Sequence, residues 1–208
     1  MDTANSEITA NTEITGVILA GGQSRRMGFN KAEAEVKGKS MLNRMIEKLC
    51  EITPNIIVSS GSISYPDIPW LQIPDEFPQY GPMGGIYSVL KASTSNLNLI
   101  VSCDIPLVSV SLLKYIVSEA KENGALITVS VDCTGQQQML CAVYHKDILP
   151  VLKQQIDSNQ LKMKSLLDLV SVEYIYISKE HPLYNEHDFI NVNTISTLKL
   201  AQELWHNK

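Results

Sequence analysis

Residues 14–20, ITGVILA, are almost wholly apolar, and the run stops at two consecutive glycines, Gly21 and Gly22. A strand with no polar side has no face to give to water, so other layers of the chain have to cover both of its faces. Residues 97–103, LNLIVSC, form a second run of this kind, and it ends at Asp104. Both runs are expected to be central strands of one sheet, with Gly21, Gly22 and Asp104 at its carboxyl edge.

The segments around them alternate in type. Residues 40–51 place Met41, Leu42, Met45, Ile46 and Leu49 at helical spacing behind a Ser cap. Short strands are expected at 56–59 and 70–73, the latter stopped by Pro74, and a Pro- and Gly-dense loop over 74–85. Helical spacing returns at 83–92 and again at 109–122, where Leu112, Leu113, Ile116 and Val117 share a face. Strands at 125–131, 139–144 and 172–177 and helices at 147–156, 164–169 and 194–205 complete the pattern. Strands alternating with helices predict an α/β chain, a three-layer α/β/α arrangement around a mostly parallel, Rossmann-like sheet. A chain of 208 residues suits one domain, expected over 14–208. Ahead of it, residues 1–13 are polar and acidic, and are expected to be a flexible tail.

The formal charge of -5 and pI near 5.4 argue against a general attraction to nucleic acid or to an anionic membrane. Residues 1–13 hold no secretory apolar stretch and the chain has no run of 18 apolar residues, so a cytoplasmic location is expected. Cys50, Cys103, Cys133 and Cys141 are scattered without a CxxC pair, and the four histidines fall in no ligand pattern. Reduced structural thiols follow, and an anion has to be met by a local site.

Residues 19–31, LAGGQSRRMGFNK, supply such a site. Glycines let backbone amides approach a phosphate closely, and the hydroxyl of Ser24 with Arg25, Arg26 and Lys31 can bind and neutralise it. The spacing is neither a Walker P-loop nor a GxGxxG fingerprint. Asp104 is a candidate Mg²⁺ ligand, since this ion takes one or two carboxylates together with substrate phosphates and water; a helix cap is the plainer role for such a residue. Asp75 is either a turn residue or a contact to ribose, base or metal-bound water. Gly81, Gly84 and Gly85 are either a flexible strip for closing over a base or a simple connection. In NVNT, Asn191 and Asn193 share a face if the stretch is extended, while Asn193 or Thr194 is suited to cap the following helix. Lys162 and Lys164 are either an acceptor-phosphate site or solvated side chains.

Taken in order, LAGGQSRRMGFNK, PDEFPQYGPMGGI, SCDIPLV and FINVNT resemble the molybdenum cofactor guanylyltransferase (MobA) family over roughly residues 14–204. The resemblance implies a fold of the nucleotide-diphospho-sugar transferase type. It further implies transfer of GMP from GTP to molybdopterin-bound molybdenum with release of pyrophosphate, in the making of the molybdopterin guanine dinucleotide cofactor. GTP and the molybdenum cofactor are then the substrates, Mg²⁺ the metal, and other cofactor-biosynthesis proteins and molybdoenzymes the candidate partners. Leu19, Ala20 and Gly21 fall at the family's nucleotide-binding loop, Lys31 at its phosphate lysine, Asp75 at a nucleotide contact, and Asp104 at the acid that contacts nucleotide and Mg²⁺. Ser59 stands at a further contact where members often carry Asn. Asn30 stands where the family usually has Asp, and residues 136–140 depart from the relatives' acid or His before Pro-Leu.

The expected mechanism is in-line attack by the acceptor's phosphate oxygen on the α-phosphorus. This asks the protein mainly for positioning and charge neutralisation. Gly21, Gly22 and Arg25 would hold the triphosphate, Lys31 would stabilise charge near the α-phosphate, and Asn191 and Asn193 would orient the acceptor. Two alternatives in the same class are cytidylyl transfer to the same pterin and nucleotidyl transfer to a sugar phosphate. An inactive GTP-binding regulatory protein is the alternative from another class.

Overall fold

The computed structural model describes residues 14–21 and 30–205. In chain order it contains β1 (Thr15–Leu19), β2 (Glu35–Val36), β3 (Lys39–Ser40), α1 (Met41–Cys50), β4 (Ile56–Gly61), β5 (Leu71–Pro74) and α2 (Gly81–Ala92). Then come β6 (Leu97–Ser102), α3 (Val110–Asn123), β7 (Ile127–Val131), β8 (Gln137–His145), α4 (Leu149–Asp157), α5 (Met163–Leu167), β9 (Val172–Tyr176) and α6 (Ile195–Trp205). Seven strands form one sheet in the order β5-β4-β1-β6-β8-β7-β9, and β2 and β3 form a separate small hairpin.

The two apolar runs lie side by side at the centre of the sheet. β1 pairs in parallel with β4 on one side and with β6 on the other, Leu19 standing opposite Ser59 and Ser102. Side chains alternate along β1, as the pleat requires. Ile18 joins one core with Leu42, Met45 and Leu49 of α1 and Leu112 and Ile116 of α3. Val17 and Leu19 join the core on the opposite face, with Met83, Ile86 and Leu90 of α2, Leu152 of α4 and Leu166 of α5. The sheet is therefore covered on both faces, which is why its central strands carry no polar side. At 25 cal/mol per Å², burying each Leu or Ile of these strands stabilises the fold by about 2 kcal/mol.

Local chemistry sets the helix boundaries. Ser40 Oγ accepts from Asn43 N (3.2 Å) at the start of α1, and Ser109 Oγ accepts from Leu112 N (3.3 Å) at the start of α3. Gly124, at φ 67°, ends α3 in the left-handed conformation that glycine adopts most easily.

The large sheet is mostly parallel, as expected, and the structure adds one reversed strand and corrects several boundaries. β8 runs antiparallel to both β6 and β7, while every other pair in the large sheet is parallel. β8 also begins at Gln137, ahead of the expected 139, because two polar glutamines open a strand whose start faces a cavity. α2 begins at Gly81, so Gly81, Gly84 and Gly85, expected as either a flexible strip or a simple connection, are the first turn and a half of a helix. β5 includes Pro74, which sits at the end of an edge strand where its missing N–H costs no ladder bond.

A third, smaller core joins the two ends of the described chain. Ala34, Val36 and Met41 pack with Leu107, Val192 and Ala201, and Trp205 lies over the Arg44 guanidinium at 4.0 Å. α6 is thereby laid against the β2–β3 hairpin and α1.

Candidate active site

The carboxyl ends of β1, β4, β5 and β6 lie together, and the segments leaving them build the site. Ala20 N and Gly21 N both donate to the Ser59 carbonyl (2.9 and 2.8 Å), and Cys103 N donates to the Leu19 carbonyl (3.1 Å). Leu19, Ala20 and Gly21 thus leave the sheet between Ser59 and Asp104, on neighbouring strands. A Cβ on Gly21 would lie 2.7 Å from Gly61 N and 2.8 Å from Gly61 Cα, so the two backbones approach more closely than any other residue permits. Gly22, Ser24 and Arg25, with Arg26 and Gly28, lie outside the described residues, as do residues 1–13.

Lys31 returns to the site where the chain resumes. Its Nζ donates to Asp104 Oδ2 at 2.8 Å and to Asn193 Oδ1 at 2.6 Å, bringing together residues 73 and 162 positions apart. The Lys31 and Asp104 side chains are 20% and 15% exposed, so the pair is shielded from bulk water yet open on one side. Backbone contacts fix its partners. Val192 N donates to the Asp104 carbonyl (2.8 Å), and Val192 is fully buried, so its two flanking asparagines are held on the surface at the acid. Thr194 Oγ1 accepts from Thr197 N (3.1 Å) and caps α6. Capping therefore falls to Thr194, and Asn193 is left for Lys31. Asn191 lies on the other side of Asp104, its Nδ2 donating to the Phe189 carbonyl (3.3 Å).

Asp75 follows β5, and its Oδ1 accepts from Ser59 Oγ at 3.3 Å. Burial pushes the Asp75 carboxyl up from its usual value, against the opposing pull of that hydrogen bond. The glycines of α2 make room for this pair. A Cβ on Gly85 would meet Ser59 Oγ at 2.8 Å and Asp75 Oδ1 at 3.3 Å; one on Gly84 would meet the Phe77 carbonyl at 2.6 Å. Close packing of α2 onto the end of β4 accounts for both glycines.

Sequence reasoning missed three supporting residues. Tyr65 Oη donates to the Ala20 carbonyl (3.0 Å) and accepts from Asn30 Nδ2 (3.4 Å), so one buried phenol ties together the described residues on either side of 22–29. Burial pushes this phenol up to about 12, and it stays neutral. Asn30, where the resemblance expects Asp, caps the turn that carries Lys31 by accepting from Ala32 N (3.1 Å). Asp188, 1% exposed, accepts from Ser109 N and Oγ (both 3.0 Å) and holds the chain that leads to Asn191. The third is Asp132, in the β7–β8 turn, which takes four hydrogen bonds. None of the three belongs to a periodic pattern, so no local signal marks them.

A cavity of about 230 Å³ opens beside Asp104, lined by Ser102, Ile105 and Asn191 on one side and by residues 136–141 and Met163 on the other. Lys162 and Lys164 are exposed and do not line it; Met163 between them does. Asp104 thus borders the cavity that reaches the start of β8, while Leu19–Gly21 separate it from Ser59 on the neighbouring strand. Among the described residues no three His, Cys, Asp or Glu side chains group as a metal cage. A lone hard carboxylate, whose Oδ1 has no partner among the described residues, still fits an ion that takes most of its ligands from substrate phosphates and water. Also among the described residues, no helix is long and apolar enough to cross a membrane.

Residues 16–174 match the family described as MobA-like NTP transferase domain. A Flavobacterium johnsoniae protein named probable molybdenum cofactor guanylyltransferase is 34% identical over 185 residues, 89% of this chain and 94% of that one. A Bacillus subtilis protein of the same name is 33% identical over 196 residues, 90% of this chain and 94% of that one. Among solved structures, molybdopterin-guanine dinucleotide biosynthesis protein A from Archaeoglobus fulgidus superposes with a TM-score of 0.82 at 22% identity, over 93% of this chain and all (100%) of that one. A Thermus thermophilus 2-C-methyl-D-erythritol 4-phosphate cytidylyltransferase gives 0.68 at 14% identity, over 91% and 98% of the two chains. The last two likenesses show the fold. The matched sequence, spanning both the Lys31 turn and the Asp104 strand end, shows more: the chain belongs to the MobA-like NTP transferase family and is a nucleotidyltransferase.

Proposed function

We propose that the protein transfers GMP from GTP to the terminal phosphate of molybdopterin carrying molybdenum and releases pyrophosphate. The observation that carries this reading is the convergence of Lys31, Asp104 and Asn193 at the edge between β1 and β6, with a cavity opening beside the acid. The names of the relatives supply guanine and the molybdenum cofactor as the substrates.

Chemically, a phosphate oxygen of the acceptor forms a bond to the α-phosphorus of GTP, and the bond from that phosphorus to the β-phosphate bridging oxygen breaks. The nucleophile is already anionic, so no side chain has to remove a proton. Gly21 and its backbone neighbours offer amides at the mouth of the sheet, and Gly22, Ser24 and Arg25 extend that cradle along the sequence. Asp104 would hold Mg²⁺, which supplies charge neutralisation at the phosphates when bound. In the absence of substrate Lys31 is held on Asp104; an arriving triphosphate offers it a new anionic partner and leaves the carboxylate to the metal. Asp75 and Ser59 face the nucleotide side, and Asn191 the acceptor side.

Purified protein supplied with Mg²⁺, molybdenum cofactor and one of GTP, CTP, UTP or ATP tests this directly. GTP alone should give pyrophosphate release in step with dinucleotide formation, and should raise the melting temperature most, since only a bound nucleotide stabilises the native state. Preference for CTP, or GTP binding without product, would overturn the assignment.

A further inference from the structure

The cavity beside Asp104 has a lopsided chemistry. Among the described residues its lining includes one acid, Asp104, and no Lys, Arg or His; the others are Gln136, Gln137, Gln138, Asn191, Met139, Met163 and small or aliphatic residues. A phosphate would find no counter-charge there. At about 230 Å³ the space is smaller than a pocket for a whole drug-sized ligand, and suits a single bicyclic ring.

Asp132 controls how one wall of this space presents itself. Its Oδ1 accepts from Thr134 N (2.8 Å), Thr134 Oγ1 (2.6 Å) and Gln136 N (3.0 Å), which fixes the β7–β8 turn that Gly135 closes at φ 84°. Its Oδ2 accepts from Gln138 Nε2 at 2.7 Å. An ionised carboxylate only accepts, so the Gln138 amide has to turn its nitrogen toward Asp132 and its oxygen away. Partial burial pushes the Asp132 carboxyl up, but the bonds from Thr134, Gln136 and Gln138 outweigh it and hold the group below the usual carboxylate range. It stays an acceptor at neutral pH. Asn191 is oriented in the same sense, since its Nδ2 is spent on the Phe189 carbonyl. Gln138 Oε1 and Asn191 Oδ1 have no partner among the described residues, so two lining residues offer acceptors besides the carboxylate assigned to the metal.

We infer that this cavity receives a planar heterocycle through an edge of adjacent N–H donors, such as the amino-imide edge of a 2-amino-4-oxopteridine, and that Asp132 is a positioning residue that sets Gln138 as an acceptor for it. Taking that ring to be the acceptor's rests on the proposed function. Guanine carries the same edge, so the test separates the two sources.

The probe is free pterin, whose own fluorescence reports its binding to the full chain with no transfer step. Wild type binds pterin, and saturating GTP leaves that binding in place. Asp132→Asn keeps the size of the side chain but lets the introduced amide donate to Gln138; the glutamine flips and pterin binding weakens about tenfold, the worth of one misplaced hydrogen bond. Adding Gln138→Glu to Asp132→Asn restores an acceptor at the wall and brings binding back, which a merely structural role for Asp132 would not do. Throughout, the stabilisation by GTP stays as in wild type. The inference is overturned if wild type does not bind pterin, if GTP displaces it, if Asp132→Asn binds as wild type, or if the double variant stays weak. Because the readout is binding, the expected pattern upholds the inference even where no GMP transfer is found, and its absence overturns the inference even where transfer is normal.

Discussion

Replacing Lys31 by Ala separates the two roles this side chain plays. In the fold, its Nζ sits 2.8 Å from Asp104 Oδ2 and 2.6 Å from Asn193 Oδ1. Unit charges about 4 Å apart attract by about 4 kcal/mol at an effective dielectric near 20. Water reaches both partners, at 20% and 15% exposure, and the lysine gives up rotamer freedom. The pair's net share in stability is then about 1 kcal/mol, or about 2–4 °C in Tm for a chain of this size. In the proposed transfer the same ammonium would stand where charge develops, and losing a group of that kind costs about 10²–10³ in kcat, roughly 3–4 kcal/mol. Lys31→Ala should therefore cut GTP-dependent pyrophosphate release several hundredfold while its circular-dichroism melt moves by only a few degrees. Turnover within about fivefold of wild type would refute the assigned role. A fall in Tm beyond about 10 °C would show that Lys31 is a strut of the fold instead.

Two more outcomes follow from the nucleotide side of the site. Gly85→Ala puts a Cβ 2.8 Å from Ser59 Oγ and 3.3 Å from Asp75 Oδ1, in a buried setting where overpacking costs about 1–3 kcal/mol. Calorimetry should show GTP binding weakened about tenfold, and an unchanged Kd would exclude the Ser59–Asp75 pair as a nucleotide contact. Asp75 itself predicts a pH dependence. Its folded carboxyl is raised by burial, so the native state holds the proton more tightly than the unfolded chain, and that contribution to stability is lost as pH climbs from the usual carboxylate range through the raised value. Asp75→Asn should melt above wild type at pH 7, with the gap closing toward pH 4; a gap that does not vary with pH would contradict the burial argument.

The layering of this protein was legible because it is written in long apolar runs. Residues 14–20 and 97–103 could only be central strands, and they fix where Gly21 and Asp104 fall. The acid and lysine singled out as site residues each follow a recognisable element in a recognisable string, and the fold brings them within 2.8 Å of each other. What escaped was set by pairing across long sequence distances. The reversed direction of β8 leaves no trace in composition, and it is what carries Gln136, Gln137 and Gln138 to the carboxyl edge beside Asp104. The start of α2 was hidden by Gly81, Pro82, Gly84 and Gly85, residues that usually break helices but here let one pack close to Ser59. Tyr65 and Asp188 were silent because a single buried polar side chain has no period to detect.

The attachment of α6 has a practical consequence. Of its 11 residues only Ala201 is fully buried, Ile195 and Leu200 stay exposed, and its far end rests on Arg44 through Trp205. The strap just ahead of it is what delivers Asn193 to Lys31. Fraying of this helix would cost far less than melting the seven strands, which need not notice it. With Asn193 in its proposed role, warming should silence the enzyme while its core is still intact, and heat tolerance of activity is then to be sought where Trp205 meets α1 rather than between the layers of the sheet.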